Sequence, residues 1–81
     1  METLERVLKA TADPNRLRIL NMLYAKDLCV CEIHAMLNIA QPTVSKHLRI
    51  LKHAGLINDC KDGLWTIYYL NPRNTLSLIH I

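Results

Sequence analysis

The chain has 81 residues, enough for one small domain over 1–81, and domains of this size often gain their last stability from a partner chain. Apolar residues make up 51%, yet no run approaches the ~20 apolar residues that span a bilayer. Met1-Glu2-Thr3-Leu4-Glu5-Arg6 lacks the charged-then-apolar order of a secretory signal, so no membrane association is expected and the expected compartment is the cytoplasm. Three cysteines, an odd number, do not make a disulfide framework and fit reduced thiols. A net charge of +3 permits nucleic-acid binding without demanding it.

A first helix is expected over Thr3–Ala10, where Leu4, Val7 and Leu8 recur at helical spacing and Thr3 stands as a cap. Asp13-Pro14 is a stronger start, a capping carboxylate followed by a first-position proline. It opens a second helix through Leu17, Leu20 and Leu23 to Tyr24. After polar Ala25-Lys26-Asp27, a short helix is expected from about Val30 to Leu37, with Ile33, Met36 and Leu37 turned inward. Asn38-Ile39-Ala40 then links it tightly to a fourth helix.

That fourth helix begins at Gln41-Pro42 and closes at Gly55, the residue suited to a left-handed C-terminal position. Val44, Leu48 and Leu51 form its apolar stripe. The opposite face carries Gln41, Thr43, Ser45, Lys46, Arg49 and Lys52, with His47 beside them. Each of these side chains can donate to phosphate oxygens or base edges. Two short helices with a tight link, the second basic, predict a helix-turn-helix that reads double-stranded DNA.

Past Gly55 the pattern changes period. Leu56 and Ile57 begin a strand, Lys61-Asp62-Gly63 reads as a turn, and Leu64 to Leu70 is rich in strand-forming Trp, Thr, Ile and Tyr. Trp65, Tyr68 and Tyr69 are assigned to the hairpin core and a dimer-facing surface. The predicted fold class is mainly α with a β-hairpin, a winged helix-turn-helix, with Lys61 at the hairpin turn against the DNA backbone. Asn71-Pro72-Arg73-Asn74 breaks the strand, and a last helix is expected over Thr75–Ile81. Apolar stripes at both ends, Leu4, Val7 and Leu8 with Leu76, Ile79 and Ile81, predict a homodimer interface.

Cys29 falls at the expected N-cap of the short helix, with Glu32 three residues on, so Cys-x-x-Glu stands where Ser/Thr-x-x-Glu forms a capping box. A thiol caps poorly, and losing a good cap costs about 1 kcal/mol. The position therefore gives up helix onset for another property. Thiols at a helix N-terminus tend toward the thiolate, the form that binds soft metal ions. Residues two apart point ~200° apart around a regular helix. Cys29 and Cys31 can share one small ion only if one lies outside the helix or the first turn deforms.

Several segments together resemble a known family. They are Ala12-Asp13-Pro14-Asn15-Arg16-Leu17-Arg18-Ile19-Leu20, Leu28-Cys29-Val30-Cys31-Glu32-Ile33, Gln41-Pro42-Thr43-Val44-Ser45-Lys46-His47-Leu48, and Leu51 with Ala54-Gly55-Leu56-Ile57. The chain resembles the ArsR/SmtB family of metal-sensing bacterial repressors over roughly Leu8–Pro72. The resemblance implies a homodimeric winged-helix repressor that sits on operator DNA and leaves it when a metal or metalloid binds. The Cys29-Val30-Cys31 pair is similar to the arsenic-, antimony-, cadmium- or lead-responsive branches. It implies As(III) or Sb(III) as inducer, with Cd(II), Pb(II) or Zn(II) as alternatives and no catalytic cofactor.

Arsenic sensors of this kind commonly place a third cysteine where this chain has His34. Cys31 and His34, at i and i+3, share a helical face, and imidazole suits zinc or cadmium better than trivalent arsenic. His34 is the third candidate ligand, and Cys60 is expected to be unligated. His80 stands where other members carry a zinc site, but the companion ligands are absent. Two rival readings are a winged-helix regulator whose Cys29, Cys31 or Cys60 answers to oxidant, and a protein-binding winged helix, against which Gln41, Thr43 and Ser45 count. No nucleophile–base–orienter set is apparent, so no enzyme is expected.

Overall fold

Four helices and three strands follow one another in the computed structural model, which describes residues 2–71: α1 (Glu2–Ala10), α2 (Pro14–Ala25), β1 (Leu28–Cys29), α3 (Val30–Leu37), α4 (Gln41–His53), β2 (Ile57–Asp62) and β3 (Trp65–Leu70). The expected last helix, with Leu76, Ile79, His80 and Ile81, lies outside the described residues. Thr3 falls inside α1, which already begins at Glu2, so it is not the cap.

Local chemistry explains where the other helices start and stop. Asp13 sits in extended backbone and accepts from the N–H groups of Asn15 at 2.8 Å and Arg16 at 3.2 Å, satisfying two donors that the first turn of α2 leaves open. Pro14 occupies a position where its missing N–H has no partner to lose. Asn38 ends α3 in the left-handed conformation, at φ 56°, with its N–H on the His34 carbonyl at 3.0 Å. Its short polar side chain tolerates that conformation, and the reversal delivers the chain to α4.

Gly55, at φ 80°, closes α4 with the paired bonds of a Schellman motif. Its N–H reaches the Lys52 carbonyl at 3.0 Å, and the Leu56 N–H reaches that of Leu51 at 3.1 Å. Leu51 and Leu56 are both buried, as the apolar contact of this motif requires.

The three strands form one antiparallel sheet in the order β1-β3-β2. Asp62 pairs with Trp65, which leaves Gly63-Leu64 as a two-residue turn. Gly63 has φ 64° while Leu64 does not enter positive φ, the combination of a type II′ turn, whose twist suits a hairpin. The turn is thus shorter than Lys61-Asp62-Gly63. Lys61 lies in β2, paired with Thr66.

The core gathers Ile19 and Leu23 of α2, Ile33 and Leu37 of α3, Val44, Leu48 and Leu51 of α4, and Ile57 of β2. Met36, expected inward, is exposed, because Ile33 and Leu37 already fill the inward stripe of a short helix. Trp65 is also exposed rather than in the hairpin core: as the first residue of β3 it projects beyond the cover of the helices. Tyr68 and Tyr69 are half-buried. On α1, Val7 packs against the core while Leu4 and Leu8 stay exposed.

Candidate nucleic-acid interface and sensor site

The start of α4 presents a run of exposed polar and cationic side chains. Gln41, Thr43, Ser45, Lys46 and Arg49 are all exposed, above a stripe of Val44, Leu48 and Leu51 that anchors the helix in the core. The N-cap, Ala40, has no side-chain acceptor to offer, and the Thr43 and Val44 N–H groups turn to its carbonyl at 3.0 and 3.1 Å. Lys52 shares the outer face, but its Nζ lies 2.8 Å from Asp59 Oδ1 on β2.

His47 departs from the expected set. Only 7% of it is exposed, and it belongs to the buried stripe. The spacing carried this signal: position 47 falls three residues after Val44 and four before Leu51, in phase with the apolar face. Its Nδ1 lies 3.3 Å from Arg16 Nη1. A guanidinium can only donate, so Nδ1 accepts and the proton sits on Nε2, which faces Asp13 Oδ1 at 4.0 Å.

Arg16 was not singled out from the sequence, yet it joins three helices. Its Nε donates to the Ala10 carbonyl at 2.7 Å and its Nη2 to that of Lys9 at 3.1 Å, so it satisfies the end of α1 while its Nη1 meets α4. Desolvation opposes charge on Asp13. The backbone N–H groups of Arg16 and Asn15, with the His47 and Arg16 side chains nearby, nonetheless hold its carboxyl below the usual range.

On the wing, Lys61 is exposed beside the exposed Asp62, and Leu64 at the tip is fully exposed. The wing therefore combines an apolar tip with adjacent charges of opposite sign.

Cys29 holds two structural posts, as the last residue of β1 and the N-cap of α3. It is buried and lies outside the helix in extended backbone, whereas Cys31 is exposed within the first turn. All three cysteines are free thiols. The Glu32 carboxylate accepts from the Cys29 N–H at 3.0 Å, half of a capping box. The other half sets the Glu32 N–H against the Cys29 sulfur, a contact too weak to count as a conventional cap bond. The N–H and the thiol of Cys29, opposed by slight desolvation and helped by Lys26, hold the Glu32 carboxyl below its usual range.

His34 is half-buried, and its buried Nδ1 has no hydrogen-bond partner among the described residues. Among those residues no group of three His, Cys, Asp or Glu side chains is placed to hold a metal ion, so Cys29, Cys31 and His34 are near in sequence without forming a ready site. Cys29 and Cys60 flank Ile67 from opposite strands, which sets them roughly 9–10 Å apart, two strand spacings. That is too far for one ion, and beyond the reach of a disulfide without backbone movement.

Residues 13–59, from the Asp13 cap through both helices of the motif to Asp59 on the first hairpin strand, match the family described as bacterial regulatory protein, arsR family. The chain belongs to the ArsR family. This ArsR-family chain is 44% identical over 70 residues to an uncharacterised HTH-type transcriptional regulator of Methanocaldococcus jannaschii, covering 85% of this chain and 79% of that one. It is 40% identical over 68 residues to the arsenical resistance operon repressor of Escherichia coli strain K12, covering 83% of this chain. It spans 58% of that relative's length. Its fold is also that of a Mycobacterium bovis domain described as a homodimeric winged helix-turn-helix DNA-binding domain, with a TM-score of 0.87 and 28% identity over 95% of this chain and 71% of that one. Family and fold are those of a DNA-binding transcriptional regulator, not an enzyme. No helix among the described residues is long and apolar enough to cross a membrane.

Proposed function

We propose that this chain represses a metal(loid)-resistance operon, holding double-stranded operator DNA as a homodimer and leaving it when Cys29 and Cys31 hold As(III) or Sb(III). The observation that carries the reading is the position of Cys29: a thiol stands at the N-cap of the helix that supports α4, with a second, exposed thiol two residues on.

Gln41, Thr43, Ser45 and Lys46 lie at the end of a recognition helix that approaches base edges, and Arg49 lies nearer the phosphates. Two such helices, one per protomer, read successive half-sites, and exposed Leu4 and Leu8 offer apolar surface for the pairing. For the two thiolates to converge on one ion, the first turn of α3 has to reshape, with the Cys29 side chain leaving its buried position. Glu32 then loses its hold on the Cys29 N–H. DNA favours one arrangement of this turn and the converged thiolates the other, which is a coupling free energy between two sites. Two soft thiolates suit trivalent arsenic and antimony, and the His34 imidazole, whose Nδ1 has no partner among the described residues, is the donor at hand for Cd(II) or Zn(II).

The test is a titration of As(III), Sb(III), Cd(II), Pb(II) and Zn(II) into reduced protein bound to a fluorescent duplex taken from upstream of its own coding sequence. Release by As(III) or Sb(III) at the lowest concentration is expected, and it should vanish in the Cys29→Ser, Cys31→Ser double variant. Release that persists unchanged in that variant overturns the assignment of the sensor.

A further inference from the structure

Lys52 lies on the face of α4 that meets DNA, yet its ammonium is committed elsewhere. The bond from Nζ to Asp59 Oδ1 is short and joins two charges, the stronger class of hydrogen bond. Asp59 sits in β2 directly opposite Tyr68 of β3, and Tyr68 in turn pairs with Leu28 of β1. The ion pair spans a hollow of about 330 Å³ between helix and hairpin, walled by Ser45, Leu48, Arg49, His53 and Tyr68. Side chains do not fill this space, so here the ion pair is what crosses it.

The surroundings keep Lys52 charged. Asp59, first through its hydrogen bond and then through its charge, raises the Lys52 ammonium above its ordinary value. Burial, then the Asp59 charge, raises the Tyr68 hydroxyl, which stays neutral beside them.

We propose that Lys52 is a positioning residue: with Asp59 it forms a strut that sets the wing against the recognition helix, and it does not itself contact a phosphate. The proposal rests on the reading of α4 as the helix that enters DNA. A strut of this kind holds the wing ready, so operator binding does not have to order it.

The two roles give opposite signs for one substitution. If Lys52 contacted phosphate, Asp59→Asn would free it and remove a negative charge, and operator binding would tighten. As a strut partner, Asp59→Asn weakens binding by about two- to fivefold, the scale of a partly exposed ion pair. Asp62→Asn, the same charge change on the same strand, controls for long-range electrostatics and is expected not to weaken binding. Lys52→Met should weaken binding with the salt dependence unchanged, whereas loss of a phosphate contact lowers the slope of log affinity against log salt by about 0.9. The swap Lys52→Asp with Asp59→Lys should restore most of the affinity.

Residual dipolar couplings of the free protein give a readout without DNA: the hairpin should reorient relative to α4 in Asp59→Asn and return in the swap. Tighter binding by Asp59→Asn, a slope reduced in Lys52→Met, or couplings unmoved by Asp59→Asn overturns the strut. Couplings that respond while the wild-type chain binds no duplex leave the strut standing and overturn the DNA reading instead.

Discussion

Replacing Cys29 by serine and by alanine separates what the thiol costs the fold from what it gives to the proposed sensing. Both substitutions remove the sulfur from its buried position, where Cys29 is 8% exposed, so the loss of apolar burial is common to the two. They differ in the cap. Serine presents an oxygen to the Glu32 N–H and completes a box whose other half, Glu32 to the Cys29 N–H at 3.0 Å, already exists. Alanine presents nothing. The serine variant is therefore expected to be more stable than the alanine variant by about 1 kcal/mol. For a domain of this size that corresponds to a gap in melting temperature of roughly 4–8 °C, read by circular dichroism on reduced protein. Operator binding should survive in both, and release by As(III) should be lost in both. Serine and alanine variants that melt together would show that position 29 does not cap α3. A serine variant still released at the wild-type As(III) concentration would separate Cys29 from sensing.

Three further outcomes follow from the contacts described. Arg16→Met leaves the Lys9 and Ala10 carbonyls and His47 Nδ1 without their donor and should cost about 1–3 kcal/mol in urea unfolding; an unchanged midpoint would mean that α1 and α4 do not depend on it. Because the Glu32 carboxyl is held below its ordinary value of 4.5, its contribution is complete above that pH and is lost as pH falls through the lowered value; Glu32→Gln should flatten that part of the melting profile, and an identical acid limb in the variant would refute this. Arg49→Ala should weaken binding to operator and unrelated duplex alike and lower the salt slope by about 0.9; a change confined to one base position would make it a base-reading residue instead.

Much of the helical frame was legible because its boundaries are written in local chemistry. The Asp13 cap with Pro14, the left-handed Asn38 link and Gly55 act within a few residues of themselves, and each stands where the sequence pointed. The Cys29 and Glu32 relation was legible for the same reason. What escaped depends on partners distant in the chain. β1 is two residues long, too short to show alternation, and exists only because β3 pairs with it. His47 looked like one more basic residue on α4 until Arg16 and Asp13 gave its ring a buried place. Lys52 likewise looked free until the hairpin brought Asp59 to it. The hairpin turn was misjudged by two residues because Lys61 and Asp62 are polar wherever they sit, and only the pairing register shows that both belong to the strand.

Arg16 has a consequence for distance. A repressor that reads two half-sites needs its two recognition helices held at a fixed separation, about one helical repeat of DNA, or 34–36 Å. In a dimer joined through the exposed leucines of α1, that separation is the sum of the offsets from each α1 to its own α4, and Arg16 is the bolt between those helices. Any looseness there would enter the gauge twice, once from each protomer. In such a dimer a single guanidinium would bear on which operator spacings the two protomers can span.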